Sequence, residues 1–224
     1  MYSKLTSHVK SVIFDMDGTL IDTLYDIADS VNFVLRKYKY PQHSYVQYKN
    51  FIGDGIESLV LRSLPKNIKL DHKKIFKEIK SKYQENLNSK TVVYKGIIEI
   101  LDFLSLKNIQ IGICTNKPHQ SAIICSEKYF NKYNILTLGA GHKFNVKPDP
   151  EGVLNLLNQL KVSPSRSLFV GDSDIDIFTA KNAGIPSVGV LWGFRHEKEL
   201  IDAGADFTFK KPKDFLIFLK SIIL

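Results

Sequence analysis

Cysteine is scarce, with two in 224 residues, Cys114 and Cys125, and no CxxC. That excludes a disulfide scaffold and argues against a zinc knuckle or thioredoxin-like motif. Both thiols are expected to stay reduced in a cytosolic setting. Glycine (13) and proline (8) are too few for low-complexity linkers or a collagen-like fibre. No block of five basic residues occurs, and the densest runs are Lys73–Lys74 and the lysines of 210–213. A nucleic-acid surface is therefore not expected. No long hydrophobic run occurs either. The apolar stretch Phe215–Leu224 is interrupted by Lys220 and too short to span a bilayer, so it reads as a last packed helix. Residues Met1–Lys10 lack the apolar stretch of a signal peptide, and a cytoplasmic protein is expected. No GxxxxGK[ST] is present, and Gly139-Ala140-Gly141 lacks the further glycine of a dinucleotide fingerprint.

What is present is an ordinary globular balance, 44% apolar and 24% charged. At roughly 150 residues per domain the length suits one core domain with a sizeable insertion. The net charge is +8, which suits solubility and the attraction of small anions.

Val9–Phe14 reads as a buried strand that stops at acidic residues. From Asp22 the period changes. Leu24, Ile27, Ala28, Val31, Val34, Leu35 and Tyr38 fall at helical spacing. Pro41 ends that helix, and helical patterns continue through 44–88. After Tyr94, helices at 96–106, 118–130, 150–160 and 175–183 alternate with strands at 109–114, 135–138, 167–170 and 186–191, with an edge strand at 207–209. Alternation of this kind means βαβ crossovers and a parallel sheet. The expected organisation is a three-layer α/β/α core, residues 1–21 and 91–224, with an all-helical cap at 22–90.

In an open parallel sheet the chemistry sits beyond the carboxyl ends of the strands. The first strand ends in Asp15-Met16-Asp17-Gly18-Thr19, and the strand at 109–114 in Thr115-Asn116. Lys147-Pro148-Asp149-Pro150 follows the strand at 135–138, and Gly171-Asp172-Ser173-Asp174-Ile175-Asp176 the strand at 167–170. Like charges so placed repel unless a cation balances them. Asp15, Asp17 and Asp172 offer hard oxygen ligands that suit Mg²⁺ better than zinc. Beside a lysine and a threonine hydroxyl, such a cation suits a phosphate group, and a carboxylate there can attack phosphorus.

These segments resemble, in order, the four motifs of the haloacid dehalogenase-like superfamily. FDMDGTLIDT (14–23), TN (115–116), KPDP (147–150) and GDSDID (171–176) match motifs one to four. Within it, FIGDGIESLV (51–60), TNKP (115–118) and VGVLWGFRHEKELIDAGADF (190–207) resemble the phosphoglycolate phosphatases with a helical cap. The resemblance implies a Rossmann-like core and a Mg²⁺-dependent phosphatase acting on a small anionic phosphoester, most closely 2-phosphoglycolate. It implies Asp15 as nucleophile. Asp17 is general acid and then base, its backbone carbonyl on the metal. Thr115 and Asn116 bind phosphate, and Lys147 neutralises it and the aspartates. Asp172 is a direct metal ligand and Asp176 supports the metal from behind. Gly53, Asp54 and Gly55 form a cap loop facing the substrate. The text Val92-Val93-Tyr94-Lys95-Gly96 lacks the proline that relatives often carry before the glycine.

A phosphosugar mutase, a pyrophosphatase and a nucleotidase would share the four motifs, and a silent binding module would be expected to lose one of these residues. Phosphonate hydrolysis needs a particular cap lysine, and dehalogenases lack the second aspartate. A monomer or homodimer is expected, with neither nucleic acid nor membrane as partner. Cys114 and Trp192 are expected to pack. His119 is expected at the surface, and Arg195 and His196 in a solvated loop.

Overall fold

Val12 to Phe14 is apolar at every position because its strand is covered on both faces. In the computed structural model, which describes residues 9–66 and 72–223, that strand is β1 (Ser11–Phe14). The chain continues through β2 (Ile21–Asp22) into four helices, α1 (Leu24–Lys37), α2 (Tyr45–Phe51), α3 (Ile56–Ser63) and α4 (His72–Asn86). It returns at β3 (Val92–Val93), which pairs antiparallel with β2. There follow α5 (Ile97–Leu106), β4 (Gln110–Pro118), α6 (His119–Phe130), β5 (Ile135–Ala140) and α7 (Glu151–Leu160). The last part holds β6 (Ser167–Gly171), α8 (Asp174–Asn182), β7 (Ser187–Val190), α9 (Glu197–Asp202), β8 (Phe207–Phe209) and α10 (Pro212–Ile222). Among the described residues six strands form one parallel sheet in the order β5-β4-β1-β6-β7-β8.

Side chains alternate across that sheet with the strand period of two. Val12 and Phe14 of β1 pack with Ile111 and Ile113 of β4 and Leu168 and Val170 of β6, under α5, α6 and α10. Ile13 and Phe169 go to the other face, under α7 and α8. Gly112 stands opposite Ile13 in register, and the Ile13 side chain fills the space that a Cβ there would need.

The helices between β2 and β3 bury a cluster of their own. Ile27, Val31 and Leu35 of α1 meet Tyr48, Leu59 and Val60, and α4 adds Ile75, Ile79 and Tyr83 at intervals of four. Phe194, from the loop after β7, is the core's contribution to this cluster. No helix among the described residues is long and apolar enough to cross a membrane.

The two junctions of this insertion are tied by one buried carboxylate. Asp26, in the first turn of α1, accepts the backbone N–H groups of Lys90 and Thr91 at 2.8 and 3.0 Å and the Thr91 hydroxyl at 2.6 Å. Removing it strands buried donors. Asp26→Ala is expected to cost about 2–4 kcal/mol, a fall in melting temperature of roughly 5–15 °C. A thermal melt within about 2 °C of wild type would reject this role.

Candidate active site

The sheet reverses direction of growth at β1, with β4 and then β5 added on one side and β6, β7 and β8 on the other. Ligands collect at such a switch point. Asp15 follows β1 directly, and its N–H stays in the sheet by donating to the Val170 carbonyl at 2.8 Å. Gly18 turns the chain at φ +85°, and a Cβ there would collide with the Asp172 carboxylate, as would one on Gly193. Two glycines thus let backbone approach Asp172 from two sides. That carboxylate accepts the Phe194 N–H at 2.7 Å and the Thr19 hydroxyl at 3.3 Å.

Asp15, Asp172 and Asp176 are all buried, with carboxylate oxygens within 4.8 Å of one another. Asp176 caps the start of α8 by accepting from the Ser173 N–H and hydroxyl at 3.0 and 2.7 Å. Lys147 lies beneath the cluster. Its ammonium is 2.8 Å from Asp15 Oδ1 and 2.5 Å from Asp176 Oδ1. The Asp15 contact lies off the line of a good hydrogen bond, and Asp15 Oδ1 has no aligned donor among the described residues. Asn116 fixes the Lys147 backbone, accepting its N–H at 2.8 Å and donating to its carbonyl at 3.1 Å.

Burial sets the electrostatics. It pushes the Asp15 carboxyl up to about 6, with Lys147 opposing and Asp176 and Asp17 reinforcing the shift. Burial, then Asp176 and Asp15, raises Asp172 well above the ordinary carboxylate range. Burial alone would lower Lys147, but Asp15 and Asp176 more than reverse it and hold the ammonium charged.

Asp17 stands apart from the acidic cluster. Its carboxylate pairs at 2.8 Å with Lys117, a side chain only 1% exposed. Lys117 also bonds the Tyr83 hydroxyl of α4 and sits 5.0 Å from the centre of that ring. Thr115 is buried beside them. Asp15, Asp17, Thr115, Asn116 and Lys117 face Gly53, Gly55 and Tyr83 of the insertion across one cavity. Asp54 turns instead to Arg62.

Lys117 carries no role in the sequence-based expectation. Its one signal is a charged residue inside TNKP, where β4 runs on to Pro118 instead of stopping at Cys114. Arg195 departs from expectation as well. Its side chain is 8% exposed, because its guanidinium serves the Lys49 and Ile52 carbonyls at the end of α2 and Glu199 at 2.9 Å. Carbonyls at a helix end lack helical partners, and the arginine supplies them. Trp192 packs as expected and donates to the Thr19 carbonyl at 2.9 Å. Cys114 is core, its thiol pushed up to about 12 by burial. His119 stacks on His142, with ring centres 4.3 Å apart.

The haloacid dehalogenase-like hydrolase model matches residues 12–190, from β1 to the end of β7. A phosphoglycolate phosphatase of Pseudomonas putida is 31% identical over 199 residues, covering 84% of this chain and 72% of its own. One from Mannheimia succiniciproducens is 30% identical over 222 residues, 95% of this chain and 99% of its own. The crystal structure of a predicted phosphoglycolate phosphatase from Haemophilus somnus superposes with a TM-score of 0.86 at 28% identity, over 95% of this chain and 99% of that one. A family match over residues 12–190, and phosphoglycolate phosphatases that align over most of the chain, place it among the haloacid dehalogenase-like hydrolases, with phosphoglycolate phosphatase-like relatives.

Proposed function

We propose that the protein hydrolyses a small anionic phosphomonoester, with 2-phosphoglycolate as substrate, through a phosphoryl group carried on Asp15. The observation that carries this reading is the setting of Asp15. It is a buried carboxylate at the switch point, paired with Lys147, opening into a cavity that also holds Asp17. The names of the relatives at about 30% identity support the choice of substrate.

In the first step an Asp15 oxygen attacks phosphorus, and the bond from phosphorus to the leaving oxygen breaks. Asp17 gives that oxygen a proton. In the second step Asp17 takes a proton from water as the water oxygen attacks phosphorus, and the Asp15 carboxylate leaves intact. Thr115 donates to a phosphoryl oxygen, and Lys147 stabilises the negative charge on Asp15 and on the phosphoryl group. The helical insertion, residues 22–90, closes over the cavity as a lid and excludes water.

The residues fit a divalent cation. Four carboxylates, those of Asp15, Asp17, Asp172 and Asp176, face two ammonium groups, and among the described residues Asp15 Oδ1 lacks an aligned donor. All-oxygen donors suit Mg²⁺. Asp15, Asp172 and the backbone carbonyl of Asp17 would hold it, with Asp176 supporting from behind. When bound, the ion draws charge from the phosphoryl oxygens.

Two experiments test the reading. The first is phosphate release from a panel of phosphoglycolate, phosphosugars, nucleotides and pyrophosphate, with Mg²⁺ and with excess chelator. Metal-dependent release favouring phosphoglycolate is expected, and full activity in chelator rejects the metal site. The second is pH dependence. With the Asp15 pKa raised from the ordinary 3.8 to about 6, the metal-free fold is favoured by the bound proton at low pH. That contribution fades as pH rises through about 6. Mg²⁺ must displace the same proton, so its thermal stabilisation should shrink as pH falls through about 6. A Mg²⁺-induced shift independent of pH would contradict this.

A further inference from the structure

The cavity is chemically lopsided. At one end lie Asp15 and Thr115, and across it the insertion lines the space with Ile27, Val31, Ile52, Ile56, Leu59 and Ile79. A leaving group that points into this wall meets apolar surface. An anionic leaving group would be rejected there unless a cation met it, since a buried unpaired carboxylate is costly.

One cation is in place. Among the described residues, Lys117 is the sole lysine or arginine that lines the cavity. The other nearby cations are engaged elsewhere. Lys147 lies under Asp15 and Asp176, Arg195 serves backbone carbonyls and Glu199, and Arg62 holds Asp54. An ammonium has three N–H donors. Two of those on Lys117 go to Asp17 Oδ1 and to the Tyr83 hydroxyl, both of which border the same cavity. The ammonium is thus fixed at the boundary between the reacting end and the apolar wall, close to Asp17 and so close to the leaving oxygen.

We infer that Lys117 is the specificity-determining residue of the site, its ammonium receiving the anionic tail of the leaving group, with Tyr83 as the positioning residue that holds it there. The inference rests on the phosphatase reading above and names the group that selects within it. The apolar wall then has a use of its own. It strengthens the pairing of tail and ammonium by excluding water, and it leaves a neutral polar tail without a partner. Because Tyr83 belongs to α4, the ammonium is held in place when the insertion lies against the core.

The test is a comparison of two substrates of like size, 2-phosphoglycolate and 2-hydroxyethyl phosphate, in wild type, Lys117→Met, Lys117→Arg and Tyr83→Phe. The readout is the ratio of their kcat/KM values. Losing a buried charged partner should cost that ratio about 30-fold or more in Lys117→Met. Lys117→Arg, which keeps the charge, should retain most of the preference, and Tyr83→Phe should lose a smaller part of it. Any role of Lys117 in holding Asp17 alone lowers both substrates together and leaves the ratio unmoved. An unchanged ratio in Lys117→Met therefore overturns the inference while the phosphatase reading stands. Should that variant fail to fold, wild type alone decides, because a preference for the neutral tail overturns the inference equally. Wild type inert toward every phosphoester of the panel removes the phosphatase reading and this inference with it.

Discussion

Asp15→Asn is expected to lower kcat by on the order of 10⁴-fold or more while the protein stays folded. The amide keeps the shape of the carboxylate but cannot attack phosphorus. Lys147 keeps its contact with Asp176 after the change, so the cluster does not lose its cation. Repulsion of Asp15 with Asp176 and Asp17 also disappears, and both raise the Asp15 pKa in the wild type. The melting temperature should therefore hold or rise in the metal-free protein. Turnover within tenfold of wild type, in a preparation free of wild-type enzyme, would remove Asp15 from its role.

Why Asp15 could be singled out from sequence while Lys117 could not is a matter of physical range. β1, β4 and β6 are buried on both faces, so each carries an apolar run that leads up to the first polar side chain of the site, Asp15, Thr115 and Asp172. The strand ends converge because parallel strands align their carboxyl termini. Four polar segments, three of them charged, then fall at one edge without any knowledge of contacts. Lys117 takes its meaning from Tyr83, which lies 34 residues earlier on a helix of the insertion. The spacing of Ile75, Ile79 and Tyr83 shows a buried helix face, but not what the phenol at its end touches. Arg195 likewise depends on carbonyls at Lys49 and Ile52, more than 140 residues away. β2 and β3 have two residues each and α9 has six, too short for a period to register. Asp26 carries the weak signal of an acid in a first helical turn, where the helix dipole alone would explain it. Its three bonds to Lys90 and Thr91 appear only once the insertion has closed on itself.

Lys147→Met should combine two large effects. The side chain is 4% exposed and lies between Asp15 and Asp176. Methionine fills a similar volume but leaves two buried carboxylates without their cation, at a cost of about 3–5 kcal/mol. The same change should lower kcat/KM by about 10²–10³-fold, the usual loss when a preorganised charge at the reacting group is removed. The pH profile separates this from simple unfolding. Lys147 opposes the upward shift of Asp15, so without it the carboxyl keeps its proton to higher pH. The acid limb of the activity profile should then move upward from its wild-type position. A variant whose activity drops with no movement of that limb would mean that Lys147 acts on the phosphoryl group alone. A variant as stable and active as wild type would contradict the charge arrangement described for the cluster.

The measurement closest to the central claim is a chemical trap of the reaction in progress. Wild-type protein turning over 2-phosphoglycolate with Mg²⁺ is quenched in acid and digested, and the peptide containing Asp15 is examined for a phosphoryl group. The predicted result is a phosphorylated Asp15 that is absent without substrate and absent in Asp15→Asn. Phosphate release at full rate with no phosphoryl group on Asp15, in a quench shown to preserve acyl phosphates, would contradict the account.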